Sequence, residues 1–437
     1  MAKIVLLYQI TTVIMSTRYI RFIAFLALSL TVAKGAYAQT DTLKINFKDA
    51  ERSFLDKNLV LIAQKYNVDA SKALVQQAKL WDNPVLSTDQ NITDANKKFF
   101  DHRNGTGQVL VQLSQLFKTA GKRGKEVQVA QDGVQIQQAQ FNDLMRNLRY
   151  NLLLDFSQVA NLIEQRKVYQ LEIASAGNMV NAIDKSYQAG NSSLKDLIRL
   201  KALLFSLQND LVEIDRQMND LQSELKTLLV VNETQFIAPQ ITFNNVNTTL
   251  NAAALSEQAK AFRGDYLANR YLLDQNNHSV SLQKAMAVPD VTIGGTYDQN
   301  SSYARNYVGL EISLPLPIFN RNQGNIKNAK LLAQSQEYTL QNSELQLKND
   351  VYAAVNQYRL SQQLLSNNES DFYKKYDQLF VSMQKSFKER QVGLQEFVDF
   401  FDSYRETKLK ILQQQLNLQK AIADLNLAVG TTVVNPL

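Results

Sequence analysis

The chain has no cysteine among its 437 residues. That excludes disulfides, a thiolate metal site and a cysteine able to accept a lipid once a leader is removed. Histidine occurs twice, as His102 in "FFDHRNG" and His278 in "NNHSV". Two imidazoles in unlike settings make no repeated metal site, and each reads as an ordinary exposed polar side chain. "GTGQVL" lacks the third glycine of a dinucleotide fingerprint, and "GKRGK" lacks the Ser or Thr of a phosphate loop. No Ser/His/Asp set is indicated. The chain does not read as an enzyme, and no cofactor, metal or catalytic residue is expected. Proline is scarce too: none falls in 85–238 or 318–435. Those tracts are rich in Gln, Asn, Leu, Ala and Lys, the straight-chain composition of long helices.

Beyond the N-terminus there is no apolar run near the ~20 residues that a membrane-crossing helix needs. This leaves room for membrane strands, whose trace is far weaker. Residues 15–39, "MSTRYIRFIAFLALSLTVAKGAYAQ", read as a secretory leader. Arg18 and Arg21 precede the apolar stretch Phe22 to Ala33, and Ala36-Tyr37-Ala38 is a small-x-small cleavage site. The leader is expected over 1–38, starting at Met1 or Met15, with Gln39 as the mature start. The formal charge of +6 belongs largely to it, since Lys3, Arg18, Arg21 and Lys34 leave and no acid does. The remainder is about +2, which lends nothing to nucleic-acid binding.

The rest reads as one unit written twice, a first repeat over 39–238 and a second over 239–437. "SYQAGNSSLKDLI" from Ser186 aligns with "SFKERQVGLQEFV" from Ser386, 200 positions on. Gly124 falls on Gly324 at the same offset, and "NPVLST" (83–88) parallels "VPDVTI" (288–293). Helices are expected over roughly 120–186 and 325–387, each near 100 Å at 1.5 Å per residue. Breaks at "QAGNSS" and "RQVG" turn them into antiparallel hairpins. In the first returning helix Leu197, Leu204, Leu211, Met218 and Leu225 recur every seven, as do Leu200, Leu207, Ile214, Leu221 and Leu228. This is a coiled-coil seam. The second copy keeps Phe397, Tyr404, Ile411, Leu418 and Leu425, while Lys408 and Gln415 interrupt its other series.

Between the helices, strands are expected near 84–92, 107–117, 290–299 and 305–316. Val109, Val111, Leu113 and Phe117 alternate with polar residues, as do Val308, Leu310, Ile312 and Leu314. Lengths near 9–11 residues suit a tilted membrane strand; a soluble sheet packed on helices gives the same alternation. Pro315 and Pro317 end the last strand, and Asn320 or Asn322 is placed to cap the helix that follows. Loops 93–106 and 299–305 then share the side opposite the helices.

Together "GLEISLPLPIFNRNQGNIKNAK" (309–330), the "NPVL" strand start and the duplicated hairpins resemble the TolC family of outer-membrane efflux proteins, in its short CzcC-like branch. The resemblance implies a mostly α fold with a small transmembrane β part. It implies a homotrimer: four strands per chain close a twelve-stranded β-barrel in outer-membrane lipid, continued by an α-helical coiled-coil tunnel in the periplasm. It implies a passive exit duct served by a periplasmic adaptor and an inner-membrane pump, for small molecules or metal cations. A soluble periplasmic coiled-coil scaffold or adaptor is the alternative. The family's acidic periplasmic aperture carries over to Glu396 and Asp399, with Asp196 as the first-copy counterpart of Glu396. The basic residue that members often place just before them is Val392 here. The tips Gly190, Asn191, Ser192, Gln391, Val392 and Gly393 are the expected adaptor-docking surface.

Overall fold

The computed structural model describes residues 42–93, 98–100, 102–103, 107–241, 249–366 and 370–435. The expected leader lies outside them, as does most of the loop 93–106. The described chain runs through one order of elements twice. The first pass is β1 (Thr42–Asn46), α1 (Phe47–Lys57), α2 (Leu59–Ala78), β2 (Val85–Gln90), β3 (Val109–Phe117), α3 (Lys122–Gln188) and α4 (Leu194–Leu229). The second is β4 (Phe236–Gln240), α5 (Ala252–Phe262), α6 (Gly264–Met286), β5 (Val291–Asn300), β6 (Arg305–Ser313), α7 (Gln323–Ser366), α8 (Ser370–Lys388) and α9 (Leu394–Val429).

Side-chain caps set several of these boundaries. The Asn46 side chain accepts from the Asp49 N–H at 2.9 Å and starts α1. Asn58 accepts from Val60 and Leu61 to start α2, and its amide donates to the Leu228 carbonyl at the end of α4. A buried asparagine thus caps one helix and satisfies an orphan carbonyl of another. Asn251 starts α5 in the same way. Asn322 behaves differently from the capping expectation. It sits before α7 with φ 57°. Its side-chain amide donates to the Gln283 carbonyl at 2.8 Å, and its side-chain oxygen accepts from the Asn325 side chain at 2.6 Å rather than from a helix N–H, while Asn320 accepts the Asn322 N–H at 3.0 Å. The strand-to-helix joint is therefore tied sideways to α6.

The four long strands form one antiparallel sheet in the order β2-β3-β5-β6. Its register separates two faces. Leu86, Leu113, Gly295 and Leu310 share a row, as do Thr88, Val111, Tyr297 and Val308. Ser87, Gln112, Thr296 and Gly309 make a row on the opposite face. The apolar face is bare: Val308 is 76% and Leu310 75% exposed. On the polar face Gln112 bonds Glu311, and Gln108 donates to Asp298 at 2.7 Å. β6 ends at Ser313, just ahead of Pro315 and Pro317.

Two short strands escaped sequence reading. β1 and β4 pair in parallel, Thr42 opposite Phe236 and Ile45 opposite Pro239. A two-stranded pair is all edge, so proline is tolerated there. Gln222 of α4 locks β4 in place, donating to the Ile237 carbonyl at 2.7 Å and accepting its N–H at 2.9 Å. Around this knot Phe47, Phe54, Leu152, Phe156, Leu225 and Leu229 form a core drawn mostly from the first repeat. Tyr266, Leu347, Val351, Tyr358, Leu425 and Val429 form its counterpart in the second. A third core runs down the hairpins, where Leu197, Leu200, Leu207, Ile214 and Met218 are buried, as the heptad requires. Lys408 interrupts the second seam because it reaches Asp377 of α8, 2.5 Å away.

Candidate functional site

The far ends of the two hairpins are built on one turn. After α3, the Gly190 N–H bonds the Tyr187 carbonyl at 2.9 Å and the Asn191 N–H bonds that of Ser186 at 2.8 Å. After α8, Arg390 bonds Phe387 at 3.0 Å and Gln391 bonds Ser386 at 2.9 Å. Every donor and acceptor is matched at the 200-residue offset. Both are Schellman closures with a left-handed residue, Gly190 at φ 74° and Arg390 at φ 59°. The second tip places a side chain where glycine is preferred, a cost of about 1 kcal/mol. Arg390→Gly is accordingly expected to stabilise this tip by about that amount and to slow amide exchange at 389–391. Unchanged exchange would contradict it.

Gly190, Asn191, Gln391 and Gly393 are exposed, while Ser192 and Val392 are half-buried. The Ser192 hydroxyl donates to that of Ser186 at 2.6 Å. Val392 packs inward against the core containing Phe397 and Phe401. Ser193 caps α4 by accepting from the Asp196 N–H at 3.1 Å. Its counterpart Gly393 has no side chain to do so.

Glu396 and Asp399 occupy exposed positions in the first turns of α9, with Phe397, Val398 and Phe401 buried behind them. Asp399 has a partner, the guanidinium of Arg199 on α4, 3.7 Å away. Arg199 is the first-repeat counterpart of Asp399, so quasi-equivalent positions face each other across the hairpins. With Val392 apolar, the cation beside Asp399 comes from the other repeat. Glu396 and Asp196 form no ion pair among the described residues.

Higher up, α3 is bolted to the second hairpin. Glu172 of α3 is fully buried, at 0% exposure. Its Oε2 lies 3.5 Å from the Arg405 guanidinium of α9, which also holds Asp402 at 2.9 Å. Its Oε1 has no hydrogen-bond partner. Loss of hydration pushes the Glu172 carboxyl up to about 8; Arg405 opposes the rise and Asp402 adds to it. Tyr169, one turn away, is raised by burial and by Asp210 of α4. The Tyr404 hydroxyl donates to Asp377 at 2.8 Å, and Gln384 of α8 donates to Ser175 of α3 at 2.9 Å. Above this level burial, with help from Glu224, raises Asp155 to about 7.

A family model described as outer membrane efflux protein matches residues 52–230 and 255–431, one segment in each repeat. The chain belongs to that family. This efflux protein is 23% identical, over 80% of both chains, to the cobalt-zinc-cadmium resistance protein CzcC of Cupriavidus metallidurans. It is 25% identical to the pyoverdine export outer membrane protein OpmQ of Pseudomonas putida, over 42% of this chain and 40% of that one. Among solved structures, the CmeC outer membrane channel of Campylobacter jejuni shares the fold with a TM-score of 0.73 at 14% identity. That match covers 90% of this chain and 87% of CmeC. The resemblance to TolC-type ducts thus holds. The efflux protein is an outer-membrane exit duct of tripartite efflux systems, with its helical part in the periplasm.

Some functional candidates were absent from the sequence reading. Arg199 had a usable signal, since it aligns with Asp399 in the repeat. Glu172 and Arg405 had none, because their meeting depends on α3 and α9 packing. Both histidines are half-buried rather than exposed as expected. The His278 Nδ1–H donates to the Asp132 carboxylate at 2.6 Å and so ties α6 to α3.

Proposed function

We propose that three copies of the chain close a twelve-stranded barrel and a helical tunnel, and that an inner-membrane pump delivers cargo to it through a periplasmic adaptor. The sheet carries this reading. Its strands β3, β5 and β6 have 9, 10 and 9 residues. One face is apolar and bare, the other polar with carboxylates, as between lipid and a water-filled lumen. β2 and β6 are unpaired edges, which a bilayer does not tolerate. Pairing β6 of one copy with β2 of the next satisfies every edge. Exposed aromatics stand at both ends: Tyr303 and Phe319 are each 90% exposed, in keeping with girdles at the two membrane surfaces.

In the assembly Glu396, Asp399 and Asp196 ring the lower aperture and favour cations by local potential. The Arg199 contact with Asp399 leaves Glu396 and Asp196 as the main sources of that potential. Cations as cargo also agree with the name of the CzcC relative. Opening is a movement of the second hairpin away from the first. The exposed tips at 190–193 and 391–393 dock the adaptor.

The purified protein is expected to have the mass of three chains in detergent and to conduct in planar bilayers. A monomer that does not conduct would refute the reading. Glu396→Gln with Asp399→Asn should weaken cation preference and divalent-cation block. The difference should shrink at 1 M salt, where the Debye length is about 3 Å. Identical block at every salt concentration would remove the aperture role and leave the barrel intact. A cysteine at Ser192 should crosslink to the adaptor, whereas crosslinks confined to the upper helices would argue against tip docking.

A further inference from the structure

We propose that the joint between sheet and helices is a seat for anionic phospholipid, built on Trp81 and Arg123. The proposal rests on the membrane orientation given above and adds the lipid chemistry and the residues that read it. Phe117 ends β3 on the apolar face that carries Val111 and Leu113. Trp81 meets it edge-on, ring centres 6.4 Å apart at 73°, and stays 61% exposed. The Arg123 guanidinium lies over the indole, 3.8 Å from its centre. Arg123 forms no ion pair and no side-chain hydrogen bond among the described residues.

The nearby acids are already engaged. Asp82 and Glu126 both pair with Lys118, at 3.8 and 2.9 Å, and Asp290 pairs with Lys122 at 2.7 Å. What remains uncompensated at this level is cationic: Lys79, Lys125, Lys284, Arg321, Lys327 and Lys330. None of them forms an ion pair among the described residues. They flank the helix-side ends of all four strands. Once the leader is gone the chain is close to neutral, so the opposite excess lies elsewhere. The positive charge is gathered where the helices leave the membrane.

An indole at this level keeps its ring in the acyl region and its N–H in water. A guanidinium held over it, 3.8 Å from the ring centre, is weakly hydrated and fork-shaped, and it suits a phosphate diester. A zwitterionic headgroup would bring its ammonium against the surrounding lysines. A headgroup without one brings only the phosphate. The seat therefore selects phosphatidylglycerol over phosphatidylethanolamine.

The test uses the full chain in vesicles of phosphatidylethanolamine with a minor share of phosphatidylglycerol. The protein is extracted gently and its retained lipid quantified by mass spectrometry. Phosphatidylglycerol is expected to be enriched over the bulk. Arg123→Gln should lower the enrichment about fivefold, the effect of one basic contact near a lipid surface. Arg123→Lys should fall between, and Trp81→Ala should follow Arg123→Gln. Equal enrichment in parent and Arg123→Gln would overturn the seat. Displacement of the lipid by inorganic phosphate would mark a site for the free anion and overturn the lipid assignment. A chain that inserts and conducts without lipid preference overturns this proposal alone. A chain that never enters the vesicles overturns the membrane orientation with it.

Discussion

Glu172→Gln is expected to raise the melting temperature of the detergent-solubilised protein at pH 8 and to leave it nearly unchanged at pH 4. The Glu172 carboxyl is raised from the model-peptide value of 4.5 to about 8, chiefly by burial. Between those values the folded chain keeps a proton that the unfolded chain has released. Stability from this group is fully present below pH 4.5 and is lost as pH rises toward 8. At about 1.4 kcal/mol per pH unit the whole span amounts to some 4–5 kcal/mol. Glutamine has the shape of the protonated acid and no charge to desolvate, so it should flatten this part of the profile. Asp155, raised to about 7, acts in the same direction, and Asp155→Asn should remove the remaining slope between pH 5 and 7. A parent protein whose melting temperature is level from pH 5 to 8 would show that Glu172 is hydrated and freely ionised. The same variant reports on the duct. Arg405 keeps Asp402 when residue 172 is neutral, so the hairpins lose an attraction, and in the proposed trimer the pore should conduct more readily at pH 8.

Gly264→Ala should be the most damaging small substitution in the helices. A Cβ there would lie 2.5 Å from the Asp143 N–H nitrogen and 2.8 Å from the Asp143 Cβ, and would strike the Ala139 carbonyl as well. These are mostly backbone atoms of α3, so no rotamer change relieves the clash. Helices α3 and α6 come from different repeats and would have to separate, at a cost of about 3 kcal/mol or more. The expected result is loss of folded protein in the membrane fraction, with a lowered melting temperature for any that assembles. Gly177→Ala supplies the control. Nothing lies within 4 Å of a Cβ at Gly177, inside α3 toward its C-terminal end, so alanine should gain about 0.5–1 kcal/mol there by helix propensity alone. Equal effects at the two sites would mean that α3 and α6 are not in backbone contact.

Local patterns were legible because they are imposed by burial within one element. The seam of α4 could be read from its sevens, since each leucine answers to the same neighbour helix. The apolar face of β3 could be read from alternation, and the register then stacked it with the matching faces of β2, β5 and β6. Pairs made at long range were not legible. β1 is five residues long and its strand partner among the described residues is β4, nearly two hundred positions away. Glu172 looks like any helix glutamate until α9 covers it. Arg199 lies between these cases, because the repeat itself maps it onto Asp399. Glu396, Asp399 and Asp196 could be named from sequence as aperture candidates, whereas the cation beside Asp399, Arg199 of the other repeat, emerged only from the packing of the hairpins.

The parallel pairing of β1 with β4 also sets an order of events during synthesis. The first repeat leaves the secretion pore with α1 and β1 complete, yet β1 has no partner until Phe236 to Gln240 emerges. Through that interval an unpaired strand edge and the apolar side chains beneath it are open to other chains. Closing the pair late costs little loop entropy, because that penalty grows only with the logarithm of length. It costs time, and delay favours misassembly. A first repeat made alone should therefore aggregate rather than fold. The whole chain should depend on a holdase in the periplasm until its second half has arrived.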